Sequence, residues 1–312
     1  MLSAYKINDQ ATEAIEDPLR LGEAAWIDAA EASDEERDII ESLVRHALSD
    51  EEDADEIEAS TRSVVDENGL RLSTLFLHRV EGQPENTSVS VILNDQRLVT
   101  LHERDVPAIR LMRIRVRRYP DLLADPLGLL IGLFETAVND LGDSLQELYR
   151  ALEETSYLVL RDTEPDLEGA LARLARHENV NGKVRLCLMD ARRDLAFVLR
   201  NAQPSKNAAK RIKNLLADID ALLPHNNFLF EKVNFLLQAA QGFINIEQNQ
   251  IIKIFSVAAT AFLPPTLIAS IYGMNFDTMP ELQWAAGYPF ALVLMVVSAL
   301  LPYLYFKRKG WL

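Results

Sequence analysis

The chain has 312 residues and a formal net charge of −15. Residues 251–312 carry Lys253, Lys307, Arg308 and Lys309 against Asp277 and Glu281, a net of +2, so residues 1–250 carry −17, which argues against a basic nucleic-acid groove. One cysteine, Cys187, excludes an intrachain disulfide framework and a multi-cysteine zinc site.

The first 16 residues are polar and lack an apolar h-region, which predicts no cleavable signal peptide. Residues 1–104 hold short β-rich runs: Leu2–Ile7, Ala24–Asp28, Ser60–Val65, Leu70–Val80, Thr87–Leu93 and Arg97–His102. Asn94-Asp95-Gln96 separates the last two and predicts a hairpin. Ser33 with Glu36 three residues on has the capping-box pattern and predicts a helix to about Leu48. A second helix is predicted over about Asp105–Arg118. Strands mixed with helices over this length predict an α/β layered domain. The acidic run Asp50-Glu51-Glu52-Asp53-Ala54-Asp55-Glu56 reads as a solvated loop or helix start; consecutive acids do not by themselves converge on one cation.

From Asp125 the pattern is helical. Asp125-Pro126 is an N-cap followed by Pro at the first helical position. The breaks Glu164-Pro165-Asp166 and Gln203-Pro204-Ser205 divide the region into long helices. The third begins near Lys206, and Pro224 is expected to bend or interrupt it. His225, beside that bend, reads as structural or exposed.

Ile254 to Phe276 and Leu282 to Phe306 are free of charge, and each is long enough to cross a hydrocarbon core of about 30 Å at about 1.5 Å per helical residue. The competing reading, two buried helices of a soluble core, does not explain their flanks. Lys253 precedes the first run and Lys307, Arg308 and Lys309 follow the second, while the loop between has no Lys or Arg. That asymmetry places both ends of the hairpin in the cytoplasm and the loop outside. Trp284, Tyr288, Tyr303, Tyr305 and Trp311 stand near the boundaries, where amphipathic rings belong.

Along the first run Asn249, Ile252, Phe255 or Ser256, Ala259, Leu263, Thr266 and Ser270 recur at steps of three and four and share one helix face. This stripe is polar at both ends and apolar in the middle. In a ring of chains it would give a wet mouth, a constriction able to gate by dewetting and a polar outer segment. As a packing face its Ser and Thr would instead serve as interhelical donors. The loop that follows suits magnesium, which sheds its water reluctantly. The Asn275 amide oxygen can accept hydrogen bonds from a hydrated ion. Gly273 is expected to let the backbone turn and approach an axis closely. Met274 is no hard-cation ligand and has an orienting or packing role. Asp277 and Glu281 either add negative potential at the mouth or are solvated loop acids. No cluster of His, Cys and carboxylate occurs in the spans, so a soft-metal cage is unsupported.

Tyr272-Gly273-Met274-Asn275, then Met279-Pro280-Glu281-Leu282, Trp284 and Gly287-Tyr288-Pro289, resembles the outer loop of the CorA family of magnesium and cobalt transport proteins, the Gly-Met-Asn divalent-cation channels. The ending Tyr303 to Leu312 resembles that family's C-terminus. The close resemblance covers roughly residues 226–312; upstream it rests on layout. It implies a funnel-shaped homopentamer in a bacterial inner membrane, in which an α/β cytoplasmic domain and a long helical stalk precede two C-terminal transmembrane helices. The expected parts are an N-terminal cytoplasmic α/β domain (1–120), a long-helix hairpin (121–205), a stalk helix (206–250), a pore-lining first span (251–273), an extracytoplasmic loop (274–286), a second span (287–306) and a basic tail (307–312).

The resemblance implies Mg²⁺ as cargo, with Co²⁺ and Ni²⁺ as further candidates. It makes Gly273, Met274 and Asn275 the selectivity filter. Asn249 and Thr266 match polar pore-lining positions, and Ile252, Phe255, Ala259 and Leu263 match apolar ones. Family members also carry regulatory Mg²⁺ on cytoplasmic carboxylates between subunits. By position and type Asp218 and Asp220 are the nearest candidates here, with plain surface acids as the alternative. A related branch moves Zn²⁺, but the Met-Pro-Glu-Leu stretch leans toward magnesium. A different reading is a membrane-tethered cation sensor that does not conduct. The sequence has no Gly-x-x-x-x-Gly-Lys-Ser/Thr loop, Gly-x-Ser-x-Gly elbow or His-Glu-x-x-His, so no enzyme is expected and transport should be passive.

Overall fold

The computed structural model describes residues 2–8, 11–15, 17–44, 63–80, 82–160, 166–275, 279–280 and 284–311. The acidic run Asp50–Glu56, the Glu164-Pro165 break and the loop acids Asp277 and Glu281 lie outside the described residues. The chain divides into two units, Met1–Leu237 and Gln238–Leu312.

The first unit is built on a seven-stranded sheet in the order β2-β1-β3-β7-β6-β5-β4. The strands are β1 (Leu2–Asn8), β2 (Ala11–Ile15), β3 (Trp26–Ala30), β4 (Ser63–Asp66), β5 (Gly69–Val80), β6 (Gln83–Leu93) and β7 (Leu98–His102). Every neighbouring pair is antiparallel except β3 and β7, which run parallel with Trp26 opposite Leu98. The hairpin expected at Asn94 forms: its Oδ1 accepts from the Gln96 and Arg97 N–H groups at 3.0 and 2.9 Å. Gly69 closes the β4–β5 turn at φ 139°, where an added Cβ would meet the Leu93 carbonyl oxygen at 2.4 Å.

Helices cover both faces. On one side α1 (Asp34–Val44) buries Ile40 and Val44 against Ile27, Ile92 and Val99. Its capping box is made as expected, Ser33 N–H to Glu36 Oε2 at 3.0 Å and Glu36 N–H to Ser33 Oγ at 3.3 Å. On the other side lie α2 (Pro107–Arg118), α3 (Pro126–Leu160) and α4 (Leu167–Asn201). Ile109, Met112, Leu130, Phe134 and Leu188 pack there with Trp26, Leu72, Phe76 and Leu98. Asp166 caps α4 by accepting from the Gly169 N–H at 2.9 Å.

Cys187 of α4 is buried beside Asn86, and its Sγ lies 3.5 Å from Asn86 Oδ1. Burial pushes the thiol up to about 12, and the Asp190 and Asp140 charges act in the same direction.

The fifth helix, α5, runs unbroken from Lys206 to Tyr272, 67 residues or about 100 Å. The expected interruption at Pro224 does not occur. Proline at that place forfeits the bond to the Asp220 carbonyl and crowds that carbonyl with its ring. Ile219, Leu229 and Val233, all fully buried, pin the helix on both sides of it. The last helix, α6, spans Gly287–Arg308 with Pro302 inside it. The C-terminal part of α5 and α6 are both long and apolar enough to cross a membrane.

Candidate functional site

Within the second unit burial is one-sided. On α5 the less exposed positions are Val257, Ala258, Ala261, Pro264, Pro265, Ile268 and Tyr272. On α6 they are Gly287, Ala291, Met295, Ser298, Ala299, Pro302 and Phe306. Each set recurs at three- and four-residue steps, the pattern of two helices packed as a hairpin. Small residues dominate the α6 set, with Gly287, Ala291, Ser298 and Ala299.

The stripe singled out in the sequence falls on the other side of α5. Asn249, Ile252, Phe255, Ser256, Ala259, Leu263, Thr266 and Ser270 are all exposed in the single chain. At about 100° per residue the centre of this stripe lies close to diametrically opposite the shaded face. Ile252 is 60 % exposed, Phe255 71 % and Leu263 67 %. An apolar strip of this length, unused by its own hairpin partner, remains available to lipid or to other copies of the chain.

Thr266 Oγ1 donates to the Phe262 carbonyl oxygen at 2.8 Å. Its hydrogen is thereby committed, and the hydroxyl presents only lone pairs outward.

At the end of α5 the Gly273 N–H reaches the Ala269 carbonyl at 3.0 Å and the Met274 N–H reaches Ile271 at 3.3 Å. Gly273 is not among the glycines with positive φ. It is a turn residue immediately after α5, and a Cβ added there would lie 3.1 Å from the Ala269 carbonyl oxygen. Met274 and Asn275 are both exposed just beyond the helix.

The flanks carry the aromatic residues expected of boundaries. Trp284 and Phe290 pack at 5.7 Å, Phe306 and Trp311 stack at 5.0 Å, and Lys309 lies over the Tyr305 ring at 5.5 Å.

The two carboxylates proposed as a regulatory pair do not converge within one chain. Asp218 and Asp220 are exposed on either side of buried Ile219, about 200° apart around α5. Asp220 is already paired with Arg192 of α4 at 2.6 Å. Among the described residues no group of three or more His, Cys, Asp or Glu could hold a metal ion. Sequence reasoning missed this pairing because Arg192 and Asp220 lie 28 positions apart with no local signal linking them.

Over residues 22–308 the sequence matches the family described as "CorA-like Mg2+ transporter protein". The chain belongs to the CorA family. It is 45 % identical over 316 residues to the magnesium transport protein CorA of Escherichia coli strain K12, covering 100 % of both chains. It is 44 % identical, at the same coverage, to that of Yersinia pseudotuberculosis. In fold it is similar to the complete structure of the CorA magnesium transporter from Methanocaldococcus jannaschii, with a TM-score of 0.78, 20 % identity, and 100 % and 99 % of the two chains covered. The cytoplasmic domain of ZntB from Vibrio parahaemolyticus gives a TM-score of 0.56 at 11 % identity over 78 % of this chain and 97 % of that one. CorA membership and the two apolar helices make this a transmembrane protein of an ion-transport family, with an α/β N-terminal domain, a long helix and a C-terminal hairpin.

Proposed function

We propose that the chain is one subunit of a homopentameric channel that admits Mg²⁺ passively, in a bacterial inner membrane with both termini in the cytoplasm. The observation that carries this reading is the exposed stripe from Asn249 to Ser270, turned away from the face shared with α6 and ending at Gly273-Met274-Asn275. Five such stripes around an axis would bury the strip left open in one chain. Relatives 44–45 % identical along their whole length, each named a magnesium transport protein, supply the cargo.

The chemistry follows from the hydration of the ion. Asn275 amide oxygens accept hydrogen bonds from the bound waters, so the ion passes without losing its inner shell. Thr266, its hydrogen given to Phe262, offers further acceptors, and Asn249 does so at the inner end. Between them Ile252, Phe255, Ala259 and Leu263 form the segment that dewets when narrow. Asp277 and Glu281 attract cations to the mouth. The inside-negative potential contributes about 4.6 kcal/mol per 100 mV for a divalent ion, twice the single-charge value. Internal Mg²⁺ closes the channel by bridging carboxylates of neighbouring acidic units, offsetting their repulsion and favouring the closed ring. Asp218 and Asp220, being exposed, face such boundaries from two sides of α5, and Asp220 exchanges Arg192 for the cation.

Purified protein in liposomes, tested with Mg²⁺, Co²⁺, Ni²⁺ and Zn²⁺ separately, decides the reading. Saturable Mg²⁺ influx that grows with inside-negative potential is the expected result, with a five-fold ladder on chemical crosslinking. Zn²⁺ flux without Mg²⁺ flux would assign the chain to zinc transport, and no cation flux would make it a sensor.

A further inference from the structure

β3 and β7 are adjacent and parallel, and the helices that follow them depart to opposite faces of the sheet. α1 joins the small core with Ile27 and Val99, whereas α2 joins the large core with Trp26 and Leu98. Parallel neighbours whose helices diverge leave a crevice beyond their carboxyl ends, where open α/β sheets hold small ligands. A cavity of about 430 Å³ opens at this place, a volume typical of small-molecule sites.

Its lining has a specific chemistry. Arg37 comes from α1, Arg71 from β5 and Arg104 from the segment after β7, so three arginines from three elements line one cavity. They do so in a part of the chain that carries −17 overall. His102 forms the buried end of the wall, its Nε2 3.0 Å from Asp28 Oδ1 and its Nδ1 2.6 Å from the Arg104 carbonyl. Asp28 is 1 % exposed and is fixed in turn by the Thr100 hydroxyl at 2.7 Å and by Arg113 at 2.9 Å. At the lip Glu31 is held at φ 48°, with its N–H on the His102 carbonyl at 2.9 Å. A non-glycine residue in that region stores strain that the surroundings must sustain, a trait concentrated at ligand sites.

Glu31 and Glu103 share the walls, so three arginines and two glutamates leave the lining at +1. A field that weak does not gather anions indiscriminately. Recognition then comes from the planar guanidinium forks, whose geometry matches phosphate and carboxylate oxygens alike, and three of them around one cavity favour a ligand with several closely spaced oxygens on one group, as a phosphate has. We propose that this crevice binds a small phosphorylated ligand of nucleotide size, with its phosphates on Arg37, Arg71 and Arg104.

The test is calorimetric titration of the full-length protein in detergent with ADP, inorganic pyrophosphate, adenosine and citrate. It reads binding rather than flux, so its outcome is separate from that of the transport reading. ADP and pyrophosphate should each bind saturably, adenosine should not, and citrate should bind more weakly than pyrophosphate. Arg71→Gln and Arg104→Gln should each weaken ADP by at least about tenfold. Arg104 is exposed, so its variant is expected to keep the wild-type unfolding temperature. Absence of saturable phosphate binding, equal binding of adenosine or citrate, or unchanged ADP affinity in Arg104→Gln would each overturn the site.

Discussion

Asn181 of α4 and Asn226 of α5 hold one another by a reciprocal amide exchange. Asn181 Nδ2 donates to the Asn226 carbonyl at 3.1 Å, and Asn226 Nδ2 donates to the Asn181 carbonyl and side-chain oxygens at 2.9 and 2.8 Å. Both residues are buried, at 1 % and 0 % exposure. The clamp lies two residues past Pro224, where α5 has lost a backbone bond, and it ties the weakened turn to α4. Replacing either Asn by Leu should strand the other's buried amide and cost about 1–3 kcal/mol, with the double variant costing less than the sum. Unfolding curves of the two singles and the double measure this; strict additivity would show that the pair does not act as a unit.

Asn275→Ala should abolish Mg²⁺ influx while leaving membrane insertion and assembly intact. Radiotracer or fluorescent-indicator uptake, set against the elution volume of the purified variant, makes the comparison. Wild-type influx through a correctly assembled Asn275→Ala protein would remove Asn275 from the filter. Gly273→Ala should also lower influx, because its methyl group presses on the Ala269 carbonyl 3.1 Å away.

Ile252→Ser and Leu263→Ser should wet the apolar stretch and raise basal flux at high internal Mg²⁺. Liposomes loaded with and without Mg²⁺ provide the contrast. Unchanged flux in both variants would mean that neither residue lines the constriction.

Asp218→Asn combined with Asp220→Asn should make influx less sensitive to internal Mg²⁺ and leave the protein protease-sensitive where Mg²⁺ protects the wild type. Identical protection in both proteins would exclude these two carboxylates as sensors.

Asp194 has a fully buried side chain, and desolvation pushes its carboxyl up, against the opposing Arg193 guanidinium at 3.1 Å. A raised pKa in the folded state means that the native protein keeps this proton to higher pH than the unfolded chain does. Stability associated with Asp194 is therefore lost as pH rises from the ordinary carboxylate range through the raised value. Asp194→Asn should lack that loss, so its unfolding temperature relative to wild type should be highest at neutral pH and converge toward pH 4. Parallel profiles across that range would contradict the assignment.

Much of this architecture is readable locally. The two uncharged runs, the capping box at Ser33 and Glu36 and the turn at Asn94 depend on residues within a few positions, where periodicity and turn chemistry act directly. The CorA resemblance was likewise concentrated in contiguous motifs from Tyr272 onward. The parallel pairing of Trp26 with Leu98, the clamp between Asn181 and Asn226 and the Arg192–Asp220 contact join distant positions, and no local pattern specifies them. At Pro224 the local penalty is real, but tertiary packing around Ile219 and Leu229 keeps the helix from being interrupted.

The burial of Cys187 has a practical corollary. A chain whose one thiol is sealed beside Asn86, with its ionisation pushed to about 12, presents almost no thiolate to maleimides or methanethiosulfonates. Cysteines introduced singly from Ile252 to Ser270 can therefore be labelled on an otherwise native background. Their modification rates, with Mg²⁺ present and withdrawn, would chart turn by turn which side of the helix meets water.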